Sequence, residues 1–484
     1  MAILAWLAGV ALFAAVAVSA VNRLFDWLGT AAAEVDERQT LAGLVAVTLF
    51  GLVAICWLIG IAFVSRRLGT RAAFGVGLAG TAAVRLAVTL AVDAPLVSDW
   101  LAFHEQASVI ASAGPQLGDR PIGYPMLLGA LYASFGAQTW LAEALNVVMA
   151  LVAAAIVFDL LRRSAGPTAA ALGIGLLAVM PSHALMTPLV SALPTYTALL
   201  LAAIWCLVVL PRRVATVTRG RLAGWRTAAA ASGFAGLVLG LMQYMRSWTL
   251  VLLPAFVVVA LVGARGVGPR RAGAAIVLAF GVVLAPVIAH NWTEHGVLSM
   301  ETSSDAGFRL LVGTNQAADG RFNEADADLL QTLPGDTLRE RSDAAGRLGI
   351  ERIVGDPGGF AALALRKLVG MWGEDGYAVF FALEWQREPP LAPGLLLAGY
   401  LASGLFWAFV ALAAAWAVLR GGAAMPTWLL AAVLIGASLT VLHAFVEVQP
   451  RDHAYVTPLW AAAAAIALAG RAARGAAAPP PAPR

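Results

Sequence analysis

Apolar residues in this chain are gathered into long runs separated by short clusters of charged and turn-forming residues. Each run has roughly 16 to 25 residues, about the length that a helix needs to cross 30 Å of hydrocarbon. The pattern predicts about twelve transmembrane helices, placed at 2–22, 41–64, 72–93, 140–161, 168–186, 195–210, 228–245, 249–263, 272–289, 395–419, 427–446 and 455–470.

The composition supports this interpretation. Of 484 residues, 60% are hydrophobic and 12% are charged, whereas soluble domains carry about 25% charged residues. Because lipid offers the backbone no hydrogen bonds, spans of this length are expected to be helical. We therefore predict an all-α polytopic membrane protein and exclude a soluble globular one. Cys56 and Cys206 both fall inside apolar runs, so they supply neither a disulfide framework nor a metal site.

Arginines and carboxylates occupy alternate connectors. By the positive-inside rule, the arginine-rich connectors are cytoplasmic. Both termini are then cytoplasmic, and the long connectors 94–139 and 290–394 face the periplasm or exterior of an inner (plasma) membrane. The cytoplasmic arginines are Arg66, Arg67, Arg71, Arg162, Arg163, Arg212, Arg213, Arg219, Arg221, Arg226, Arg265, Arg270, Arg271, Arg420, Arg471, Arg474 and Arg484.

The charge distribution also limits the function. The net charge is +4, but the basic residues lie at the ends of the runs, so topology accounts for them and nucleic acid is not an expected partner. The inner connectors are all shorter than about twenty residues, which leaves no room for a cytosolic nucleotide-binding domain. Chemistry on soluble groups is therefore expected on the outer face. The Pro/Ala-rich tail 471–484 is predicted to be disordered.

The first outer connector contains a candidate base. Apolar residues recur at helical spacing over 100–113, which predicts a short helix along the membrane surface beside Glu105. Asp99 lies where the membrane helix gives way to it and is suited to take a proton from an acceptor hydroxyl. The alternative is that Asp99 is only the N-cap of the surface helix.

The same connector continues with a turn-rich segment, 115–125, that contains Arg120 and Tyr124 in the motif RPIGYP. This segment is either part of a binding site or a plain re-entry turn. Arg85 lies inside the third apolar run, so we expect it to pair or to face a polar cavity rather than to extend to the membrane surface.

Two further arginines lie in very short outer connectors, where the positive-inside rule disfavours them. Arg246 follows the seventh run, and Arg451 lies between the last two runs. An anionic partner such as a phosphate, held by both arms of the guanidinium, would account for them. Interfacial anchoring is the alternative.

The second outer connector has helical and turn-forming parts. Phe360–Trp372 is predicted to be an amphipathic interfacial helix, and Gly313, Thr314, Asn315 and Gly320 indicate turns. Asp326 and Asp328 form a D-x-D pair, to which we assign no role because no nucleotide domain accompanies it.

The order of these features resembles the type C (GT-C) glycosyltransferase superfamily, specifically the bacterial relatives of protein O-mannosyltransferases and lipid A aminoarabinose transferases. The resemblance covers about residues 72–470. It rests on the Asp of SDW, RPIGYP, the outer Arg246, PVIAHNW followed by G-T-N, DPGGF followed by RKL and W, and QPRDHAYVTP. It implies an extra helix pair at 1–71, a seven-helix core at 72–289, an outer segment at 290–394 and C-terminal membrane helices at 395–470.

The resemblance implies transfer of a sugar, typically with inversion, from a polyprenyl phosphate to a lipid, glycan or protein acceptor of the cell envelope. Asp99 would be the catalytic base, and Arg246, Arg451 and Arg120 would bind the donor phosphate. The residues expected to bind substrate are Tyr124, Glu105, His290, Asn315 and His453. No cofactor is required, and nothing in the sequence supports a divalent metal.

The chain departs from the family pattern at two points. Many relatives carry an acid where this chain has Ser191, and the R-Y expected near the C-terminal arginine is Arg451-Asp452, which displaces Tyr455.

A transporter or flippase of a lipid-linked or anionic substrate is the main alternative function. Twelve spans with both ends inside is a common transporter layout, but internal repeats are not evident. A non-catalytic lipid-binding or polymer-binding subunit is the third class. Convergence of Asp99, Arg246 and Arg451 on one outer cavity would favour the transferase.

Overall fold

A computed structural model describes residues 2–115, 120–217, 221–264, 268–422 and 425–470, and over these ranges the chain is helical, without a β-strand. The predicted tail 471–484, Arg219 and Arg265 lie outside these ranges. The helices in chain order are α1 (Ala2–Glu34), α2 (Glu37–Arg67), α3 (Thr70–Ala91), α4 (Ser98–Ala113), α5 (Gly123–Phe135), α6 (Trp140–Ser164), α7 (Pro167–Val179), α8 (Pro181–Leu185), α9 (Leu193–Val217), α10 (Arg221–Met245), α11 (Leu253–Gly263), α12 (Pro269–His295), α13 (Ala306–Gly313), α14 (Glu324–Thr332), α15 (Leu338–Gly355), α16 (Pro357–Gly373), α17 (Tyr377–Val379), α18 (Pro393–Gly421), α19 (Thr427–Phe445) and α20 (Thr457–Leu468).

Eight helices in the described part of the chain are long and apolar enough to cross a membrane, which confirms a multi-pass membrane protein. They are α1, α2, α3, α6, α10, α12, α18 and α19. The other four predicted runs correspond to shorter apolar helices, at Pro167–Val179, Leu193–Val209, Ser247–Gly263 and Thr457–Leu468. Twelve crossings stay a prediction, because a helix such as α7 spans only about 20 Å at 1.5 Å per residue.

Two sequence predictions for the outer segments are confirmed, and one is wrong. Helices are present where they were expected, over 100–113 and 360–372, as α4 and α16; their position at the membrane surface stays a prediction. The segment 115–125 was expected to contain only turns, but α5 begins at Gly123 and includes Tyr124 and Pro125. Proline suits the first turn of a helix, because its missing N–H would have no partner inside the helix there.

The centre of the molecule is aromatic. Phe13 of α1 stacks on Trp460 of α20 with ring centroids 3.7 Å apart, and Trp407 of α18 lies 5.7 Å from the same tryptophan. All three side chains are buried. The helices α1, α18 and α20 are thereby packed into one core.

Arg85 is buried within α3 and is held by the end of another helix. Its guanidinium donates to the carbonyl oxygens of Ala178 at 2.8 Å and Leu177 at 2.9 Å. Carbonyls in the last turn of a helix lack partners within that helix and carry partial negative charge. The charge of Arg85 is therefore held by the C-terminal end of α7 inside the protein, which excludes anchoring at the membrane surface.

The outer segment between α12 and α18 has its own packing and ion pairs. Asp326 is buried and accepts hydrogen bonds from Asn315 and Asn323 at 2.8 Å and from Arg352 at 3.1 Å. Asp328 is exposed. The D-x-D pair thus divides into a residue that holds the loop together and one that faces solvent.

Candidate functional site

Asp99 forms an ion pair with Arg451 at one end of the helix bundle. Arg451 Nη2 donates to Asp99 Oδ2 at 2.9 Å, between residues that lie 352 positions apart in the chain. The N-cap of α4 is Val97, and no side chain caps that helix end. The prediction that Asp99 serves only as a helix cap is therefore wrong. Its side chain is 37% exposed, so one side of the carboxylate remains open.

Arg451 is held in place by its neighbours. Its Nη1 donates to the hydroxyl of Tyr377, and the guanidinium carbon lies 4.8 Å from the Tyr377 ring centre and 5.7 Å from that of Trp100. The backbone is fixed by a short 3-10 turn, Pro450–His453, which the side chains of Gln449 and Asp452 cap reciprocally. Only 7% of Arg451 is exposed, so its guanidinium is oriented before any ligand arrives.

Arg246 belongs to the same site. It follows α10 directly, and its guanidinium carbon lies 5.9 Å from the ring centre of Tyr455. Tyr455 packs edge to face against Tyr196 at 4.9 Å and Trp248 at 5.4 Å. Arg246 Nε is buried and makes no hydrogen bond within the described chain. A cation set on an aromatic wall with an unused donor is suited to receive an anion.

A third arginine, Arg309 of α13, was missed in the sequence. It forms ion pairs with Asp305 at 2.7 Å and Glu447 at 3.5 Å. Burial alone would lower the pKa of Arg309, but these carboxylates raise it above its usual range, with a smaller contribution from Asp99. The i,i+4 spacing of Asp305 and Arg309 was a readable signal for the local pair. Nothing in the sequence indicated that the pair would lie near Asp99.

The arginines determine the charge state of Asp99. Burial alone would raise the pKa of this carboxyl. The positive charges of Arg451 and Arg246, with a smaller contribution from Arg309, outweigh the effect of burial and lower the pKa to about 2. Asp99 is therefore ionised at neutral pH. As long as Arg451 is bound to it, Asp99 is also a weaker base than an ordinary carboxylate, because its lowered pKa means a lower proton affinity.

His453, in the segment that holds Arg451, faces the interior of the protein. Nε2 of His453 lies 3.5 Å from Oδ1 of Asp375, two residues before Tyr377, but neither ring nitrogen makes a hydrogen bond within the described chain. The ring of His453 lies 4.7 Å from that of Trp407 and is fully buried. His453 is predicted from the sequence to bind substrate, and the structure places it in the core instead.

The other predicted residues of the first outer connector lie apart from the ion pair. Tyr124 is 1% exposed, packs edge to face on Phe103 at 5.5 Å, and has a pKa raised by burial. Glu105 on α4 and Arg120, between α4 and α5, are both exposed. No direct contact joins these residues to Asp99 in the described structure.

Two predicted residues belong to the second outer connector. Asn315 uses its side chain within the loop, where it donates to Asp326 and accepts from the N–H groups of Ala317 and Ala318. His290 lies near the end of α12 and lines a separate cavity. Neither residue contacts the Asp99–Arg451 pair in this structure.

Five residues from separate parts of the chain meet at one end of the bundle: Asp99 in α4, Arg309 in α13 and Tyr377 in α17, with Arg246 after α10 and Arg451 before α20. Within the described ranges, no group of three or more His, Cys, Asp or Glu side chains is placed to hold a metal ion. The site offers one carboxylate and a set of guanidinium groups, a combination that can bind an anion and accept a proton next to it.

Comparison of the chain with protein families, with curated proteins and with solved structures finds no match.

Proposed function

We propose that the protein is a membrane glycosyltransferase of the GT-C type that moves a sugar from a polyprenyl phosphate to an acceptor of the cell envelope on the outer face. The observation that carries this proposal is the convergence of the Asp99 carboxylate with Arg451 and Arg246 at one end of the bundle. A base beside a phosphate-binding pair is what this transfer needs. The lipid carrier brings the sugar already activated, so no nucleotide-binding domain is required.

In the proposed reaction, the phosphate of the donor lies between Arg246 and Arg451. The acceptor hydroxyl oxygen attacks the anomeric carbon and forms the new glycosidic bond. The bond from that carbon to the phosphate oxygen breaks, and polyprenyl phosphate leaves with the bonding electron pair. Asp99 receives the proton of the acceptor hydroxyl. The guanidinium groups stabilise the negative charge that grows on the leaving phosphate.

Arg451 cannot make all of its hydrogen bonds to the Asp99 carboxylate and to the donor phosphate at the same time. Donor binding therefore changes the proton affinity of Asp99. A phosphate that takes one arm of the guanidinium weakens its contact with Asp99, and its negative charge offsets the field of Arg246 and Arg451. The pKa of Asp99 then rises from about 2 toward its ordinary value of 3.8. The carboxylate becomes a better base when the donor is present.

The proposal is tested by Asp99→Asn, with Asp93→Asn as the matched control. Asp93 is an exposed acid in the same connector. We expect Asp99→Asn to abolish transfer from a panel of polyprenyl-phosphate sugars while donor binding persists, because the amide keeps the shape but cannot take the proton. Asp93→Asn should transfer at the wild-type rate. Wild-type transfer by Asp99→Asn would refute the role of Asp99, and movement of an unmodified donor across proteoliposomes would favour a transporter.

A further inference from the structure

A cavity opens at the end of α12, beside the segment 301–304. Its volume is about 170 Å³. A single water needs only about 10–15 Å³ by the same measure, so this cavity accommodates a group of ligand atoms. His290 and Glu294 from α12 and Arg339 from α15 form its walls together with Glu301 and the hydroxyl residues that follow it.

The lining disfavours apolar ligands. Val287 is the single apolar side chain among the described residues that form it. A lipid tail or an aromatic ring would bury its surface against charged and hydroxyl groups there, leaving their hydrogen bonds unmade. The occupant must itself carry hydrogen-bonding groups.

The charges of the cavity disfavour anions. Arg339, its one arginine, is paired through both terminal nitrogens, which donate to Glu301 at 3.1 Å and to Asn291 at 3.3 Å, while its Nε makes no hydrogen bond within the described chain. Glu294 adds a second carboxylate in the last turn of α12, where the helix dipole is also negative. A phosphate or sulfate would meet two carboxylates and only one compensated cation. This distinguishes the cavity from the Arg246–Arg451 site.

The cavity is joined to the proposed active site by one short segment. Thr302, which lines it, donates to the carbonyl of Gln243 at 2.7 Å, three residues before Arg246. Asp305, at the end of the segment, binds Arg309. Asn291 fixes the start of the segment by donating to the carbonyl of Glu301 at 3.0 Å. The segment 301–305 therefore links a ligand in the cavity to residues of the Asp99 site.

We propose that this cavity binds a hydroxyl-rich, uncharged glycan as the acceptor of the reaction. The inference rests on the proposed function and deepens it by naming the acceptor class. Sugar hydroxyls would donate to the Glu294 and Glu301 carboxylates and exchange hydrogen bonds with the imidazoles of His290 and His295. For the transfer, a glycan held in the cavity must extend past the segment 301–305, so that its terminal hydroxyl reaches the open side of Asp99.

Photo-crosslinking in cells tests the occupant directly. A benzophenone amino acid replaces Glu294, an exposed residue that lines the cavity. In the control it replaces Glu351, another exposed acid, which lies about 18 Å further along α15 than Arg339. We expect an adduct at position 294 that stains for carbohydrate after periodate oxidation, and none at position 351. An adduct at 294 that contains only protein or phospholipid, or equal yields at the two positions, would overturn the proposal.

Kinetics separate this inference from the proposed function. Glu294→Lys should raise the KM for the acceptor by on the order of tenfold, because it removes a charged hydrogen-bond acceptor, and should leave donor affinity unchanged. A loss of donor affinity would assign the cavity to the donor and refute the inference while the transferase stands. If Asp99→Asn transferred sugar at the wild-type rate, the proposed function itself would be refuted, whatever the crosslinking shows.

Discussion

Replacing Arg451 by lysine tests whether the two-armed guanidinium, rather than its charge alone, organises the site. One arm donates to Asp99 at 2.9 Å and the other to the Tyr377 hydroxyl. A lysine ammonium is a single point on a flexible stem, so it can keep one of these contacts but not both. The variant retains the positive charge and loses the geometry.

The expected effect follows from the contacts. One charged hydrogen bond to the donor phosphate is worth about 1.5–3 kcal/mol, so donor affinity should fall roughly 10- to 150-fold. The effect on folding should be smaller, about 1–2 kcal/mol, because Asp99 is 37% exposed and water screens its charge. In free energy, the loss of donor binding should therefore exceed the loss of stability by about 1 kcal/mol or less.

The assay measures donor affinity and melting temperature on the same purified samples, with Arg366→Lys as the control. Arg366 pairs with Asp319 at 3.2 Å on the surface of the outer segment, where the side chains are 53% and 65% exposed. Such a pair is worth little, so Arg366→Lys should match the wild type in both measurements. Wild-type donor affinity in folded Arg451→Lys would refute the reasoning, as would an equal loss in Arg366→Lys.

Three other predictions concern the outer segments. Burial lowers the pKa of Lys367 to about 7, so the unfolded chain binds more protons than the folded one from about pH 7 to 10.5. The melting temperature should rise with pH over this window in the wild type but not in Lys367→Met. Asp326→Asn should cost about 2–4 kcal/mol of stability because it weakens a buried ion pair, while Asp328→Asn should be neutral; equal melting temperatures would contradict this. In a cysteine-free background, Ala317→Cys should react with an impermeant maleimide in intact cells, and labelling only after lysis would reverse the proposed orientation.

The sequence singled out the charged residues of the site but not how they pair. Asp99, Arg246 and Arg451 stood out because the predicted topology disfavours arginines at those positions or suits a carboxylate there. The pairing of Asp99 with Arg451 depends on how the fold brings the start of α4 to the turn before α20, and 352 residues separate the two partners of the ion pair. Tyr377 carried no local signal, since its partner lies 74 residues away.

The helix ends were harder to predict than the runs. The fifth run was expected to reach residue 186, but the structure ends α7 at Val179 and begins α8 at Pro181. Arg85 stabilises that early end by binding the last carbonyls. Apolarity continues past the break, but Pro181 is a readable sign of it, because proline disfavours helical backbone in the residue before it. The contact of Arg85 with the end of α7 adds to this local signal.

The separation of Asp99 from Arg451 has a consequence for the synthesis of the protein. Asp99 is made within the first quarter of the chain, and Arg451 follows 352 residues later. At about 5–20 residues per second, roughly 20–70 s pass before the ribosome supplies the partner. During that time the carboxylate is in place without the guanidinium that, in our proposal, grips the donor. A half-made chain in the membrane therefore holds a base but cannot act on lipid carriers, and activity begins only when the last helices are inserted.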